Sequence, residues 1–259
     1  MTEAGFIAAE DEALELLVAA RGNDVLLKSL VERRLRGEPI AWIVGHAVFC
    51  GLTVNVRDGV YVPRWQSEPL ARRAVERLPA RGIAIDVCTG SGAIAMVLRA
   101  QRPEATILAT ELDQRAIECA SSNGVDVYPG DLFASVPLEL EGQVDVIVGV
   151  VPYVPTASLS LLPRDTLDFE STLSYDGGAE GVDTLRRVVR RSSHYLRPGG
   201  ALLLELGGDE ADILRNDLVD SGFVETLIHR DDDGDVRAIE ATLDPVHRAS
   251  EIQSAVGDV

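Results

Sequence analysis

The sequence has few cysteines and few positive charges. Its 259 residues include three cysteines, which stand far apart from one another and from any group of histidines. Disulfide frameworks and zinc sites need closer or paired spacings. We therefore expect reduced thiols, no metal and a cytoplasmic location. The residues concerned are Cys50, Cys88, Cys119, His46, His194, His229 and His247.

Positive charge is scarce relative to negative charge. The 24 Lys and Arg residues are outnumbered by 42 Asp and Glu residues, which gives a net charge of −18. A protein that binds a nucleic-acid backbone normally presents a basic face. Arginine clusters occur at positions 33–36, 72–73 and 186–191, but on helices such clusters usually form solvated, ion-paired faces. We expect a protein or small-molecule substrate and no nucleic-acid partner.

Long apolar runs are missing too. No run reaches the length of a membrane span, and the amino terminus becomes acidic after Met-Thr-Glu-Ala-Gly, unlike a secretory signal. We expect no membrane partner. With 46% hydrophobic and 25% charged residues, the composition is that of a soluble globular protein. The length allows one large α/β domain and a smaller appendage.

The phosphate-binding glycine patterns are also missing. There is no Gly-x-x-x-x-Gly-Lys loop, and the turn from Asp86 to Ala93 lacks the third glycine of the dinucleotide fingerprint. This turn follows an apolar run and opens into a helix-like segment, so backbone N–H groups and a helix dipole meet at one point. Gly90 and Gly92 allow a ligand to approach the backbone closely.

An acidic residue, Glu111, comes nineteen positions after Gly92 at the end of another apolar run. In doubly wound sheets an acid at this place binds ribose hydroxyls. Asp86, before the glycines, suits a cationic centre, and S-adenosylmethionine (SAM) carries a sulfonium and an ammonium group. Together these features favour SAM as the cofactor. The alternative is a strand–turn–helix corner that needs small residues only for packing.

Helical and strand-like segments alternate over most of the chain. Helical spacing predicts two helices between residues 8 and 36, and short β-like pieces at 42–44, 48–49, 52–56 and 60–62 predict a hairpin. Alternation of strands and helices after residue 63 predicts a parallel sheet, and the polar turn at 231–235 predicts a final antiparallel pair of strands. The predicted strands are 83–87, 106–111, 125–128, 144–150, 201–206, 223–228 and 237–243, and the later helices are 68–78, 93–100, 114–122, 183–196 and 210–221.

A family resemblance becomes specific after the fourth predicted strand. From residue 37 to about residue 243 the chain resembles the HemK/PrmC family, the SAM-dependent protein-(glutamine-N5) methyltransferases that modify peptide-chain release factors. The matching segments are Arg36 to Ile40, Gly45, Phe49 to Leu52, Val62 to Arg64, Glu68, Asp86, Thr89 to Ala95, Gly130 to Phe133, Pro152-Tyr153, Tyr175 to Gly178, Gly181 to Asp183, Leu196 to Gly200 and Glu205.

The resemblance implies a Rossmann-like class I SAM methyltransferase fold. Its mostly parallel seven-stranded sheet would end in a C-terminal antiparallel hairpin. The expected parts are a short helical domain at 1–38, a β-hairpin linker at 39–62, the methyltransferase domain at 63–245 and a disordered tail at 246–259. The implied reaction moves the SAM methyl group to a glutamine of a protein such as a release factor, with S-adenosylhomocysteine as product.

The expected site combines the turn with family positions. The turn should shape the pocket for the methionyl part and Glu111 should hold the ribose, while the resemblance places Asp131 and Leu132 beside the adenine. The acceptor should lie on the floor formed by Val150, Val151, Pro152 and Tyr153. The expected cofactor residues are Asp86, Cys88, Thr89, Gly90, Ser91, Gly92, Glu111, Leu112, Asp131, Leu132 and Val150.

The chain departs from the family signature Asn-Pro-Pro-Tyr, since Val150 and Val151 stand in the first two positions. In the family, the Asn oxygen and a following backbone carbonyl accept the two N–H groups of the amide and orient its weakly nucleophilic nitrogen. Val150 has no acceptor, and losing one positioned hydrogen bond costs roughly a hundredfold or more in rate. Cys88 replaces a loop glycine, Trp65 introduces an aromatic into the Pro63 to Glu68 segment, and the helical domain is shorter.

Three functions stay open at this point. The first is a HemK-like methyltransferase acting on a protein glutamine, which is the function we expect. The second is a paralogue whose acceptor is a small molecule or another protein nucleophile that needs no Asn. The third is a SAM-binding protein without catalysis, which the intact turn and Glu111 argue against.

Overall fold

The amino-terminal helices form as the apolar spacing predicts. The computed structural model describes residues 8–162, 166 and 168–246. Helices α1 (Ala9–Ala20) and α2 (Asp24–Leu35) are separated by a turn in which the Asn23 side chain accepts a hydrogen bond from the Leu26 N–H at 3.0 Å. This is an N-cap, which satisfies one of the open donors at the helix start. Two hydrogen bonds of 2.7 and 2.8 Å from Arg34 to Glu12 tie α2 to α1.

The segment expected as the first β-like piece is a helix instead. Residues 42–44 lie in α3 (Ile40–Val44), which begins after Pro39 and ends where Gly45 takes a φ of 85°. All three central side chains of α3 are buried, and the Trp42 indole donates to the Val60 carbonyl at 3.0 Å. A strand would have turned alternate side chains toward solvent, so packing overrides the local β preference. The expected piece at 60–62 is not a strand either, and its Val60 carbonyl accepts the hydrogen bond from the Trp42 indole.

The predicted hairpin forms between β1 (His46–Phe49) and β2 (Leu52–Asn55). Its two-residue loop is Cys50-Gly51, and both residues have positive φ, at 48° and 77°. Two-residue hairpins of type I′ require positive φ at both central positions, which matches the right-handed twist of the strands. The hairpin places Phe49 toward the large domain, where it is buried.

The large domain contains the seven-stranded sheet, in the order β5-β4-β3-β6-β7-β9-β8. Neighbours from β5 to β7 are parallel, and β7–β9 and β9–β8 are antiparallel, so the expected Rossmann-like class I methyltransferase fold is confirmed. The strands are β3 (Ile83–Val87), β4 (Thr106–Glu111), β5 (Val127–Pro129), β6 (Val144–Gly149), β7 (Leu196–Glu205), β8 (Phe223–Arg230) and β9 (Val236–Leu243). The helices are α4 (Glu68–Arg77), α5 (Ala93–Gln101), α6 (Gln114–Ser122), α7 (Asp183–Tyr195), α8 (Glu210–Ile213) and α9 (Arg215–Asp220).

Several predicted boundaries differ from the structure, and three of the differences stand out. Strand β5 starts two residues late because the Val125 N–H donates to the Ala120 carbonyl near the end of α6, at 3.1 Å, rather than to a neighbouring strand. Strand β7 starts at Leu196 rather than Ala201, since a register shift opposite Val144 and Val146 accommodates the Pro-Gly-Gly segment. The predicted helix at 210–221 is divided at Leu214. The expected tail lies outside the described residues from position 247 onward.

The sheet has a switch point beside β3. The chain proceeds outward from β3 to β4 and β5, then returns to place β6 on the other side of β3. In open α/β sheets ligands bind beyond the carboxyl ends of the strands at such a point. None of the helices in the described part of the chain has the length and apolar character needed to cross a membrane.

Candidate active site

The turn after β3 is held from beneath by Asp86. Its carboxylate accepts a 2.6 Å hydrogen bond from the Thr89 hydroxyl and a 3.1 Å hydrogen bond from the Ala95 N–H. Asp86 is 1% exposed, and this burial raises the pKa of its carboxyl to about 7. The side chain therefore joins strand, turn and helix α5 into one unit.

The two glycines of the turn serve different purposes. Gly90 has a φ of 58°, and a Cβ built there would meet no heavy atom within 4 Å, so its surface faces open space. Gly92 has a φ of 85°, and a Cβ there would lie 2.8 Å from the Val125 side chain. Gly92 precedes α5 and is not among the residues that line the cavity, so its role as a cofactor contact stays a prediction. Close packing of the turn explains this glycine.

Cys88 occupies a left-handed position that favours glycine, with a φ of 56°. The residue lines the cavity, and burial raises the pKa of its thiol above its usual range, an effect that the nearby Glu111 and Asp86 reinforce. The thiol is therefore neutral near pH 7. A neutral sulfur adds volume to the cavity wall without adding charge.

Glu111 joins two loops at the end of β4. Its carboxylate accepts hydrogen bonds from the backbone N–H groups of Gly90 at 2.9 Å, Leu112 at 2.7 Å and Asp113 at 3.0 Å. Three N–H donors on one carboxylate fix its orientation, and such charge-assisted hydrogen bonds are stronger than those between neutral groups. Glu111 also lines the cavity, with oxygen lone pairs left to accept further donors.

These residues surround a cavity of about 450 Å³. It lies at the carboxyl ends of β3, β4 and β6, and all predicted site residues except Gly92 line it. The cavity has a second wall from other parts of the chain, which includes Phe49, Tyr61, Ser67, Thr172 to Asp176 and Thr184. Acidic side chains outnumber basic ones in the lining: Asp86, Glu111, Asp113, Asp131 and Asp176 against Arg187.

The expected adenine neighbours lie together after β5. Asp131 accepts a hydrogen bond from Arg187 of α7 at 2.5 Å. Leu132 has a positive φ of 54° and is 6% exposed, so the segment turns sharply and points its leucine inward. Both residues line the cavity.

The floor expected for the acceptor follows β6. Val150 is half-buried, Val151 is 1% exposed, and the Tyr153 hydroxyl donates to Glu205 Oε1 at 3.2 Å. The floor is held by residues 172–177, which we call the strap. The Val154 N–H donates to the Tyr175 carbonyl at 2.8 Å, and the Val154 carbonyl accepts from the Gly177 N–H at 2.9 Å. The backbone beyond Val150 is therefore well supported, although position 150 offers only a hydrocarbon side chain.

The sequence missed the residues of the second wall, Ser67 among them, and Glu205 behind it. Ser67 lines the cavity, and its hydroxyl donates to Glu205 Oε2 at 2.5 Å across 138 positions of sequence. Glu205 stands at the carboxyl end of β7, next to β6, and the rule that ligands bind beyond strand ends could have marked it. Ser67 gives no comparable signal, because the short helix Trp65–Ser67 that places it is not part of the sheet.

Arg64 and Glu68 are structural ties. Arg64 Nη2 donates to both carboxylate oxygens of Glu170 at 2.9 and 3.0 Å, and Glu68 accepts from the Cys50 N–H of the hairpin at 2.9 Å. Neither residue lines the cavity. Together they fix the hairpin and the strap to the large domain.

Known proteins resemble the chain over most of its length, although no protein-family model matches it. It is 34% identical to the release factor glutamine methyltransferase of Geobacter sulfurreducens over 87% of this chain and 78% of that protein. It is 37% identical to the 4-amino-L-phenylalanine/4-methylamino-L-phenylalanine methyltransferase of Streptomyces pristinaespiralis over 68% of this chain and 64% of that protein.

Among solved structures, the E. cuniculi Mtq2-Trm112 complex, responsible for methylation of the eRF1 translation termination factor, is similar with a TM-score of 0.51. The identity is 25%, over 71% of this chain and 99% of that chain. The match to the Geobacter enzyme covers more than three quarters of each chain. The chain therefore belongs to the release factor glutamine methyltransferase family and is a SAM-dependent methyltransferase.

Proposed function

We propose that SAM binds in the cavity at the switch point, with its ribose on Glu111 and its adenine beside Asp131 and Leu132. The open space at Gly90 leaves room for a ligand against the backbone, and the excess of acidic lining residues suits a cofactor with two positive centres. Bound there, SAM supplies an electrophilic methyl group on a positively charged sulfur. The chain's own contribution is to bind it, exclude water and orient the acceptor.

The acceptor we propose is a glutamine side chain of a protein, with a release factor as the first candidate. The observation that carries this proposal is the likeness to release factor glutamine methyltransferases over most of both chains. The cavity is consistent with it, because Val151, Pro152 and Tyr153, which stand at positions of the family signature, all line the cavity. The expected setting is the cytoplasm, which the three free thiols suit.

Position 150 limits this reaction. An amide nitrogen is a weak nucleophile because its lone pair is shared with the carbonyl, so its orientation and the charge that develops on it need support. A valine side chain can neither orient the amide nitrogen by a hydrogen bond nor stabilise the charge that develops on it. On this ground we expect amide methylation at roughly a hundredth of the rate that an Asn would permit.

A second candidate acceptor is a small aromatic amine. The observation that favours it is Val150 together with the Streptomyces pristinaespiralis relative, which is named for a substrate with an amino group on a phenyl ring. An aryl amine keeps more of its lone pair on nitrogen than an amide does. It therefore needs less support from position 150.

The test is a Val150→Asn variant combined with Val151→Pro, which restores the family signature. With methyl-labelled SAM, the double variant should methylate a release-factor peptide containing Gly-Gly-Gln roughly a hundredfold faster than the parent, because one positioned hydrogen bond is recovered. The same assay with 4-amino-L-phenylalanine measures the second candidate. Calorimetry with SAM controls for damage to the cofactor site.

The outcomes separate the candidates. Faster peptide methylation by the double variant supports glutamine as the acceptor class. Methylation of the amine by the parent, with no peptide activity in either protein, would favour the small molecule. An unimpaired rate of peptide methylation by the parent would show that another group replaces the missing Asn.

A further inference from the structure

One buried carboxylate holds two hydroxyl groups of the cavity wall. Glu205 is 7% exposed at the end of β7, and its two oxygens accept separately from the Ser67 hydroxyl at 2.5 Å and the Tyr153 hydroxyl at 3.2 Å. Both hydroxyl-bearing residues line the cavity, together with Val150 and Val151. Glu205 itself is absent from the lining, so it acts from behind them.

This arrangement decides which way the two hydroxyls can bond. Each hydroxyl has one hydrogen and two lone pairs, whereas an ionised carboxylate only accepts. A carboxylate this deeply buried needs donors, because an unpaired charge in the interior is costly. Both hydrogens are thus committed to Glu205, and each hydroxyl oxygen is left to act as an acceptor toward the cavity.

Two acceptors on one wall match a nitrogen with two hydrogens. Resting on the function proposed above, we propose that Ser67 and Tyr153 accept the two N–H groups of the methyl acceptor, and that Glu205 is their positioning residue. The substrate class is a primary nitrogen, either an amide or an amine. A nitrogen already carrying two alkyl groups has no N–H to offer and should be rejected.

The charge of Glu205 adds to this selection. Nitrogen becomes more positive as it loses its electron pair, and oxygens whose hydrogens point to a carboxylate are better acceptors than free hydroxyls, because bonds in a chain polarise one another. The wall therefore supplies part of the orientation and charge support that position 150 no longer gives, and the Val150→Asn, Val151→Pro variant measures the part that is still missing.

The variants that test this are Ser67→Ala, Tyr153→Phe and Glu205→Gln. Each leaves the residues proposed to hold SAM in place, so calorimetry should give SAM affinity close to that of the parent. Turnover of 4-amino-L-phenylalanine and of the Gly-Gly-Gln peptide should fall by about tenfold or more. Ser67→Thr, which keeps the hydroxyl, should restore most of the lost turnover.

Matched controls exist in α7. Ser192 and Tyr195 are fully buried outside the cavity, and the Tyr195 hydroxyl donates to the Val136 carbonyl at 3.2 Å. Ser192→Ala and Tyr195→Phe remove the same groups without touching the wall. Both should methylate as the parent does, and thermal unfolding of all variants identifies any general loss of folding.

Binding supplies a readout that does not depend on turnover. With S-adenosylhomocysteine present, the parent should bind the primary amine and the glutamine peptide at least about tenfold more tightly than their N,N-dimethyl analogues. Ser67→Ala and Tyr153→Phe should lose most of this preference. Glu205→Gln should lose it too, because its amide can no longer take both hydroxyl hydrogens.

Two results would overturn the assignment. If the parent prefers primary nitrogens but the wall variants keep that preference and the parent's turnover, other groups accept the N–H donors and only this inference fails. If the parent binds SAM yet neither binds nor methylates either acceptor, the proposed function fails and the inference fails with it. Loss of preference in the wall variants alone, with the α7 controls unaffected, supports it.

Discussion

A carboxylate with almost no solvent contact lies beneath the cofactor turn. Asp86 is 1% exposed, and burial raises the pKa of its carboxyl from 3.8 to about 7, although the hydrogen bonds from Thr89 and Ala95 oppose the shift. In the folded protein Asp86 therefore keeps its proton at pH values where the unfolded chain has lost it. Stability gained in this way is complete below about pH 4 and is lost as the pH rises through about 7.

We predict that an Asp86→Asn variant will flatten this dependence. Each pKa unit corresponds to about 1.4 kcal/mol, so the free energy of unfolding of the parent should fall by up to ~4 kcal/mol between pH 4 and pH 8 through this residue. The variant has no carboxyl to ionise and should lose that part of the decline. Urea denaturation of both proteins across this range gives the measurement.

Glu205 should also lower the free energy of unfolding as the pH rises, since burial raises the pKa of its carboxyl as well. Some decline should thus persist in Asp86→Asn. Identical pH profiles of unfolding in parent and variant would show that Asp86 is ionised throughout and that its burial is compensated.

At the residue scale, the sequence revealed local groupings and missed distant ones. Asp86, Gly90 and Glu111 could be found because turn geometry and the strand-end rule act over short, regular spacings. Ser67 and Glu205 could not be paired in this way, because their contact depends on how the short helix Trp65–Ser67 is placed against the end of β7. Gly92 was assigned to the ligand although its missing Cβ is explained by Val125.

At the scale of elements, long periodic segments were predicted well and short ones were not. The strands β3 and β4 and the helices α5 and α6 follow the predicted ranges within one residue, since each carries a full apolar pattern. The five-residue helix α3 is too short for an apolar helical pattern to repeat. Its conformation is set by the burial of Trp42 and its neighbours, which only the folded chain supplies.

Glu111 acts as a clamp between the loop after β3 and the loop after β4. We predict that Glu111→Ala will weaken SAM binding by about 1.5–3 kcal/mol, the contribution of a hydrogen bond to a charged group. The same change frees three backbone N–H groups and should loosen both loops. Calorimetric titration with SAM measures the first effect, and hydrogen exchange at the Gly90 and Leu112 amides measures the second.

Helix α6 offers the control for this clamp. Glu118 lies on its exposed face, accepts a hydrogen bond from Gln114 and is not among the residues that line the cavity. Glu118→Ala removes an identical side chain and should leave SAM affinity and loop exchange as in the parent. Unchanged affinity in Glu111→Ala would remove this residue from the cofactor site.

At the scale of the whole molecule, the arginine clusters are neutralised by neighbouring acids. Arginines of all three clusters form ion pairs, as the sequence predicted. Several of these pairs also join separate elements. The pairs are Arg33–Glu38, Arg34–Glu12, Arg72–Glu68, Arg73–Glu240, Arg186–Asp217, Arg187–Asp131 and Arg190–Asp217. With a net charge of −18, the surface has little to offer a phosphate backbone.

We predict negligible affinity for nucleic acid at physiological salt. Non-specific binding depends on neutralisation of phosphates by Lys and Arg, and here most arginines of the three clusters are already paired with acids. Gel shifts with duplex DNA and structured RNA at micromolar protein should show free nucleic acid only. A complex that dissociates as the salt concentration is raised would reveal a basic patch that the ion pairs do not neutralise.

The two walls of the cavity have separate origins along the chain. One wall comes from the loops after β3, β4 and β5, and the other from the hairpin, the short helix Trp65–Ser67 and the strap after β6. Selection for cofactor use can hold the first wall constant while the second accumulates changes. A lineage can then exchange one methyl acceptor for another through intermediates that all still bind SAM, and relatives named for a translation factor and for an amino acid can descend from one ancestor on this fold.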